Sequence, residues 1–203
     1  MYRLYDFQSS GNGYKVRLLL TQLDIPFEYV EMNILERETR TPEFLTKNPN
    51  GRIPVLEVEP DVFLPESNAI LLYLSEGTPY FSNDRLERAQ IYQWLFFEQY
   101  SHEPFIATSR FWLMHGMAEQ KQQALQEKQA PGYAALGVLE KRLQNHSFLV
   151  GDRYTIADIA LFAYTHVAPE GNFDLTRFPA IHAWIQRIQT QPNHISITQT
   201  VGR

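Results

Sequence analysis

The spacing of apolar residues changes character once along this chain, and that change limits the fold more than any other feature. Up to residue 77, strand-like alternation and helical spacing take turns; beyond residue 84 only helical spacing remains. Tyr2 to Phe7 alternate and end at the turn-forming Ser9 to Gly13. Val16, Leu19, Leu20 and Leu23 then fall at i, i+3, i+4 and i+7, the apolar stripe of an amphipathic helix that Asp24 and Pro26 close. From Phe27 the period returns to two, with Val30, Met32 and Ile34 separated by Glu31 and Asn33. Strand, helix and strand in such close succession predict a βαβ unit with parallel strands.

Thr41 before Pro42 and Glu43 is an N-cap with proline at the first helical position, so a short helix runs to the break at Asn48-Pro-Asn-Gly51. Arg52 to Val58 and Val62 to Leu64, separated by Glu59-Pro60-Asp61, have the spacing of a hairpin. Glu66-Ser67-Asn68 opens a further helix. The segment Gly77 to Asp84 is punctuated by glycine and proline and marks an interdomain linker. The organisation predicted is an α/β domain over 1–77, a linker over 78–84 and an all-α domain over 85–203. Helices are expected over Arg85–Tyr100, Pro104–His115, Ala118–Asn145, Ile156–Val167 and about Pro179–Thr190, with Thr155 and Asp158 forming a capping box.

Composition narrows the chemistry. At 203 residues with 44% hydrophobic and 20% charged residues, the chain can bury a core without staples. Its net charge of -5 argues against a general nucleic-acid binder. There is no cysteine, so disulfides, thiolate metal sites and a cysteine nucleophile are excluded, and any sulfur chemistry must use a ligand's sulfur. The six histidines show no paired-ligand spacing, so no metal is expected. The N-terminal MYRLYDF lacks the apolar run of a signal peptide. Apart from the polar tail, the longest stretch without a charge, Ile159 to Pro169, is too short for a bilayer span of about 20 residues. No membrane association and a cytoplasmic location are the expectations.

Four features in order, at the right separations, carry a family resemblance: the serine-containing turn before the first helix, Asn48-Pro-Asn-Gly-Arg-Ile-Pro-Val-Leu56, Pro65-Glu-Ser-Asn-Ala-Ile70, and the capping box at Thr155 to Asp158. Together they resemble the soluble glutathione transferases, over essentially the whole chain. The resemblance implies a thioredoxin-like N-terminal domain, a helical C-terminal domain and a cytoplasmic homodimer using glutathione as co-substrate, with no permanent cofactor. It implies a cis bond between Ile53 and Pro54, where the Ile53 backbone receives the tripeptide as an added strand. Glu66 and Ser67 would take the γ-glutamyl ammonium and carboxylate at a helix N-terminus. Arg52, and with it Arg40, would be candidates for the glycyl carboxylate.

The chemical task implied is to hold the glutathione thiol as thiolate, which a helix N-terminus and hydrogen-bond donors favour. Counting back from Ile25-Pro26-Phe27, Ser10 falls on the catalytic serine of theta-like and zeta-like members. Asn12 falls where some bacterial members with disulfide-reductase activity carry asparagine; Ser10 is the first choice and both could share the sulfur. The zeta-like Ser-Ser-Cys is absent at 10–12, which speaks against maleylacetoacetate isomerase activity. A small apolar electrophile is expected against Tyr14, Tyr100, Phe105, Arg110, Phe111 and Met114. Glu98, Gln99 or His102 would be candidates to reach a partner subunit's glutathione. Conjugation in a detoxifying role is the first expectation; glutathione-dependent disulfide or peroxide reduction, or a non-catalytic binding module, are the alternatives.

Overall fold

The computed structural model describes residues 1–202, which divide into two compact units, 1–76 with 192 onward, and 77–191. In the first unit the elements run β1 (Tyr2–Asp6), α1 (Gly11–Gln22), β2 (Phe27–Glu31), a 3-10 turn (Glu38–Arg40), α2 (Pro42–Lys47), β3 (Val55–Glu59), β4 (Val62–Pro65) and α3 (Ser67–Ser75). The sheet order is β2-β1-β3-β4; β1 is parallel to β2 and antiparallel to β3, which pairs antiparallel with β4. The period of two sorts side chains between the faces. Tyr5 and Val55, paired across the ladder, pack with Phe44 of α2 and Ile53, while Leu4 and Leu56, paired one residue on, are buried on the other side. Thr41 caps α2 as expected, its hydroxyl accepting from the Phe44 N–H at 3.2 Å.

Helix α1 departs from the amphipathic expectation. Besides Val16, Leu19 and Leu20, the side chains of Lys15 and Arg17 are fully buried. The C-terminal segment covers that flank: Tyr14 Oη donates to the Ile195 carbonyl at 2.6 Å, and Arg17 Nη1 donates to the carbonyls of Ile197 and Gln199. Residues 192 onward therefore pack with the first unit, although in sequence they follow the helices. Ile195 and Ile197 are buried while Ser196 and Thr198 are exposed, and the polar part of the tie runs through the backbone carbonyls of this segment.

The second unit contains α4 (Arg85–Phe97), α5 (Glu103–Met114), α6 (Gln122–Leu143), α7 (Ile156–Thr165) and α8 (Pro179–Gln189). A π-helical turn over Glu98–His102 joins α4 to α5. Every residue of α7 is buried, and its start is the expected capping box: the Thr155 hydroxyl accepts from Ala157 N–H, and Asp158 Oδ2 accepts from Thr155 N–H at 3.0 Å. Asp158 Oδ1 also accepts from the Leu149 N–H and from Trp184 Nε1, so one buried carboxyl ties α7 to α8 and the preceding loop. Residues 77–84 belong with this unit, the Tyr80 carbonyl accepting from Ile156 N–H and the Pro79 carbonyl from Arg153. Among the described residues no helix is long and apolar enough to cross a membrane.

Candidate functional site

Strand register gathers the candidate segments of the first unit at one end of its sheet. Tyr5 pairs with Val55, and Val55 with Pro65. Continuing both antiparallel ladders by two residues sets the chain leaving β1 and the start of α3 beside Ile53-Pro54. That bond is cis. Ile53 lies outside both ladders, and its side chain packs half-buried on the Tyr5–Phe44–Val55 cluster.

Ser10 is the N-cap of α1. Its Oγ accepts from the Gly13 N–H at 3.4 Å, and its own N–H donates to the Phe7 carbonyl at 2.7 Å. The hydroxyl thus uses an acceptor lone pair for capping and keeps a proton to donate. Asn12, half-buried in the first turn, accepts at Oδ1 from Lys15 Nζ at 2.8 Å and from Ser67 Oγ at 3.3 Å. Lys15 also donates to Ser67 Oγ at 3.3 Å and to Asn68 Oδ1 at 3.5 Å. The thiol-end candidate Asn12 and the γ-glutamyl-end candidate Ser67 are therefore members of one buried hydrogen-bonded cluster between two helix N-termini. Sequence reasoning missed Lys15. Its signal was present in the spacing, since Asn12 and Lys15 are three apart and share a helix face.

Ser67 is buried with its hydroxyl engaged in this cluster, and its N–H, at the first position of α3, is one of the helix-start donors that no intrahelical carbonyl meets. Glu66 is exposed, holds a positive φ of 71°, and makes no side-chain capping bond to α3. Such a backbone in a non-glycine residue costs about 1–3 kcal/mol. It leaves a carboxylate at the helix N-terminus that capping does not consume.

The loop before β3 is organised by Asn48, whose Nδ2 donates to the Arg52 carbonyl at 2.8 Å and whose Oδ1 accepts from Asn50 N–H. Arg40 Nη1 donates to the Asn50 carbonyl at 2.9 Å and lies over Gly51, where φ is 61° and a Cβ would meet that nitrogen at 2.5 Å. Arg40 thus braces the loop, while Arg52 is exposed beside Ile53.

The expected electrophile residues do not form one set. Tyr14 is fully buried, its hydroxyl committed to the Ile195 carbonyl, so it does not line a cleft floor. Arg110 is 6% exposed and bonded through Nε to Glu170 Oε2 at 2.6 Å, which makes it a brace between α5 and the turn at Ala168–Gly171. Phe111 lies against His115 with ring centroids 4.5 Å apart and planes tilted by 57°, and Met114 is exposed. Tyr100 and Phe105 do share a groove of about 660 Å³ within the helical unit, completed by Phe97, Pro104, Pro131 and Val138. Gln99, Tyr100 and Ser101 of the π-helical turn also line it. Glu98 and His102 are fully buried, with Gln99 Nε2 donating to Glu98 Oε2 and His102 Nε2 bonded to Thr165 Oγ1, so neither carboxylate nor imidazole is presented outward. Among the described residues no cluster of histidine and acidic side chains could hold a metal ion.

Comparison with known proteins follows the same division. Residues 1–76 match the glutathione S-transferase N-terminal domain family, and residues 87–192 the glutathione S-transferase C-terminal domain family. The crystal structure of a possible glutathione S-transferase from Rhodopseudomonas palustris is 46% identical, with a TM-score of 0.97 over 100% of this chain and 92% of that one. The disulfide-bond oxidoreductase YfcG of Escherichia coli (strain K12) is 32% identical over 193 residues, 92% of this chain and 89% of that protein. Ure2p in complex with glutathione is 27% identical, with a TM-score of 0.84 over 95% of this chain and 90% of that one.

Proposed function

We propose, for a chain that belongs to the glutathione S-transferase family, that it binds glutathione at the sheet end of its first unit and transfers the thiol sulfur to a small apolar electrophile. The observation that carries this is the cluster joining Asn12 to Ser67, with Ser10 capping the same helix. A thiolate beside the N-terminus of α1 meets the Ser10 hydroxyl and the Asn12 amide as donors, and both stabilise the charged form. The thiol proton leaves to solvent; the sulfur then forms a bond to the electrophilic carbon as a leaving group departs with its electron pair or, in an addition, as a π-bond's electron pair moves to the neighbouring atom, which takes up a proton. Glu66 pairs with the γ-glutamyl ammonium, the Ser67 N–H and the α3 N-terminus with its carboxylate, the Ile53 backbone with the cysteinyl unit, and Arg52 with the glycyl carboxylate. The Tyr100–Phe105 groove suits the apolar body of an electrophile. Exposed Leu86 and Phe96 on α4 support a homodimer. The glutathione complex of Ure2p supports glutathione as the ligand.

The YfcG relative favours a second reading, in which two glutathiones reduce a disulfide to two thiols and leave as glutathione disulfide. It needs no enzyme cysteine and uses the same thiolate site. The test is glutathione binding by calorimetry, with turnover of an aryl halide, an isothiocyanate and a small disulfide by the wild type, Ser10→Ala and Asn12→Ala. Binding with turnover of the carbon electrophiles, reduced about tenfold or more by either variant, is expected. Turnover of the disulfide alone selects the second reading, and binding without turnover selects a non-catalytic module. Subunit association is checked by the mass in solution, where a monomer at micromolar concentration sinks the homodimer.

A further inference from the structure

Lys15 has no part in the roles assigned so far, yet it sits at the centre of the cluster. Its side chain is fully buried in α1, and its Nζ donates to Asn12 Oδ1 at 2.8 Å, to Ser67 Oγ at 3.3 Å and to Asn68 Oδ1 at 3.5 Å. An ammonium carries donors and no acceptor, so the atom of the Asn12 amide that faces it must be the oxygen. The Ser67 hydroxyl donates to that same oxygen. With Oδ1 turned inward, the amide nitrogen and its two hydrogens form the opposite end of the group. Ser67 is held by the same ammonium, at the first position of α3. One buried cation therefore sets both the donor end of the residue at the sulfur and the position of the residue at the γ-glutamyl carboxylate.

We infer that Lys15 is a positioning residue for thiol activation: it fixes the Asn12 amide with its donors toward the glutathione sulfur and couples that orientation to the Ser67 half of the site. This rests on the glutathione-activating reading above. The cation also polarises the amide it holds, which strengthens the donation to a thiolate. Without it, the amide can rotate and present its oxygen to the sulfur, where it repels a thiolate.

The test is a titration of bound glutathione by the ultraviolet absorbance of its thiolate, on the wild type, Lys15→Met, Asn12→Ala and the double variant, with thermal unfolding followed in parallel. In Lys15→Met the bound thiol is expected to ionise about one pH unit higher, so that the thiolate fraction at neutral pH falls about tenfold, with kcat/KM falling in step and recovering at high pH. Because Lys15 acts through Asn12, Lys15→Met added to Asn12→Ala should cost less than about twofold more. An unshifted titration in folded Lys15→Met, whatever its melting temperature, overturns the proposal, as does full additivity with Asn12→Ala. If Lys15→Met does not fold, Lys15→Gln, neutral but still polar, is read in the same way. A wild-type protein that binds glutathione without any thiolate signal overturns the underlying reading and this proposal with it, which distinguishes that failure from the loss of the Lys15 effect alone.

Discussion

A Cβ added to Gly13 would lie 1.6 Å from Asp6 Oδ1. The closeness follows from what Asp6 does: fully buried at the end of β1, it pairs with Arg17 Nε at 3.0 Å, and the first turn of α1 packs directly on its carboxyl. Gly13 is thus the point at which the turn carrying Ser10 and Asn12 rests on a buried ion pair. Gly13→Ala is expected to lower stability by about 3 kcal/mol, since the carboxyl it meets is held on its other side and cannot swing away. Urea unfolding measures this, and a loss under about 1 kcal/mol would show that α1 can shift.

Arg17 joins three parts of the first unit, donating to Asp6, to the Gln8 carbonyl at 2.7 Å and to the carbonyls of Ile197 and Gln199. Arg17→Met should cost about 3–5 kcal/mol, because it leaves the Asp6 carboxyl buried beside no cation. The C-terminal segment should also become a target for limited proteolysis. Resistance equal to the wild type would mean that the Tyr14 hydroxyl and Gln8, whose Nε2 also donates to the carbonyls of Ile197 and Gln199, suffice to hold it.

Burial pushes the Asp6 carboxyl up to about 7 against the pull of Arg17, and burial likewise raises Asp158 to about 6 against its hydrogen bonds from Trp184, Leu149 and Thr155. Both folded values lie above the ordinary carboxyl near 4, so between these limits the folded state binds more protons than the unfolded one. The contribution of each group is complete below about pH 4 and is lost as pH rises through its folded value. Stability from denaturant unfolding should therefore fall between about pH 4 and 7, by up to about 1.4 kcal/mol per pH unit for each group inside its window. In Asp6→Asn the part of that slope above pH 6 should vanish.

Glu66 holds a positive φ of 71° at the N-cap of α3, and its side chain makes no capping bond there. Glu66→Gly should raise stability by up to about 1 kcal/mol, as glycine adopts that backbone without steric cost. Glutathione affinity should fall about tenfold or more with loss of the ammonium's partner. A variant that gains stability and keeps affinity would remove Glu66 from the site.

Much of the fold, and the segments of the candidate site, could be located in the sequence because they are built on punctuation. Ser10 before a helical period, Thr41-Pro42, the Asn48–Gly51 break and Thr155–Asp158 are local signals whose physics is complete within a few residues. The electrophile side was much less legible. Tyr14, Arg110, Phe111 and Met114 share helices with expected site residues, but helical period alone cannot say which flank a later segment will cover, and for Tyr14 that segment begins 178 residues further on. The π-helical turn over Glu98–His102 has no sequence signature, so the period alone does not show that Tyr100 is exposed while Glu98 and His102 are buried.

The sequence by itself determined the order of elements, the switch from α/β to all-helical, the loop that presents Ser10 and Asn12, and, through the absence of cysteine, that any reacting thiol comes with the ligand. Tertiary structure alone decided which charges went inside. Lys15 and Arg17 look like the solvent side of an amphipathic helix until α3 and the C-terminal segment close over them. A buried cation is tolerated only where acceptors from elsewhere in the chain meet it, and the distant residues that supply them are brought there by packing, which no local period encodes.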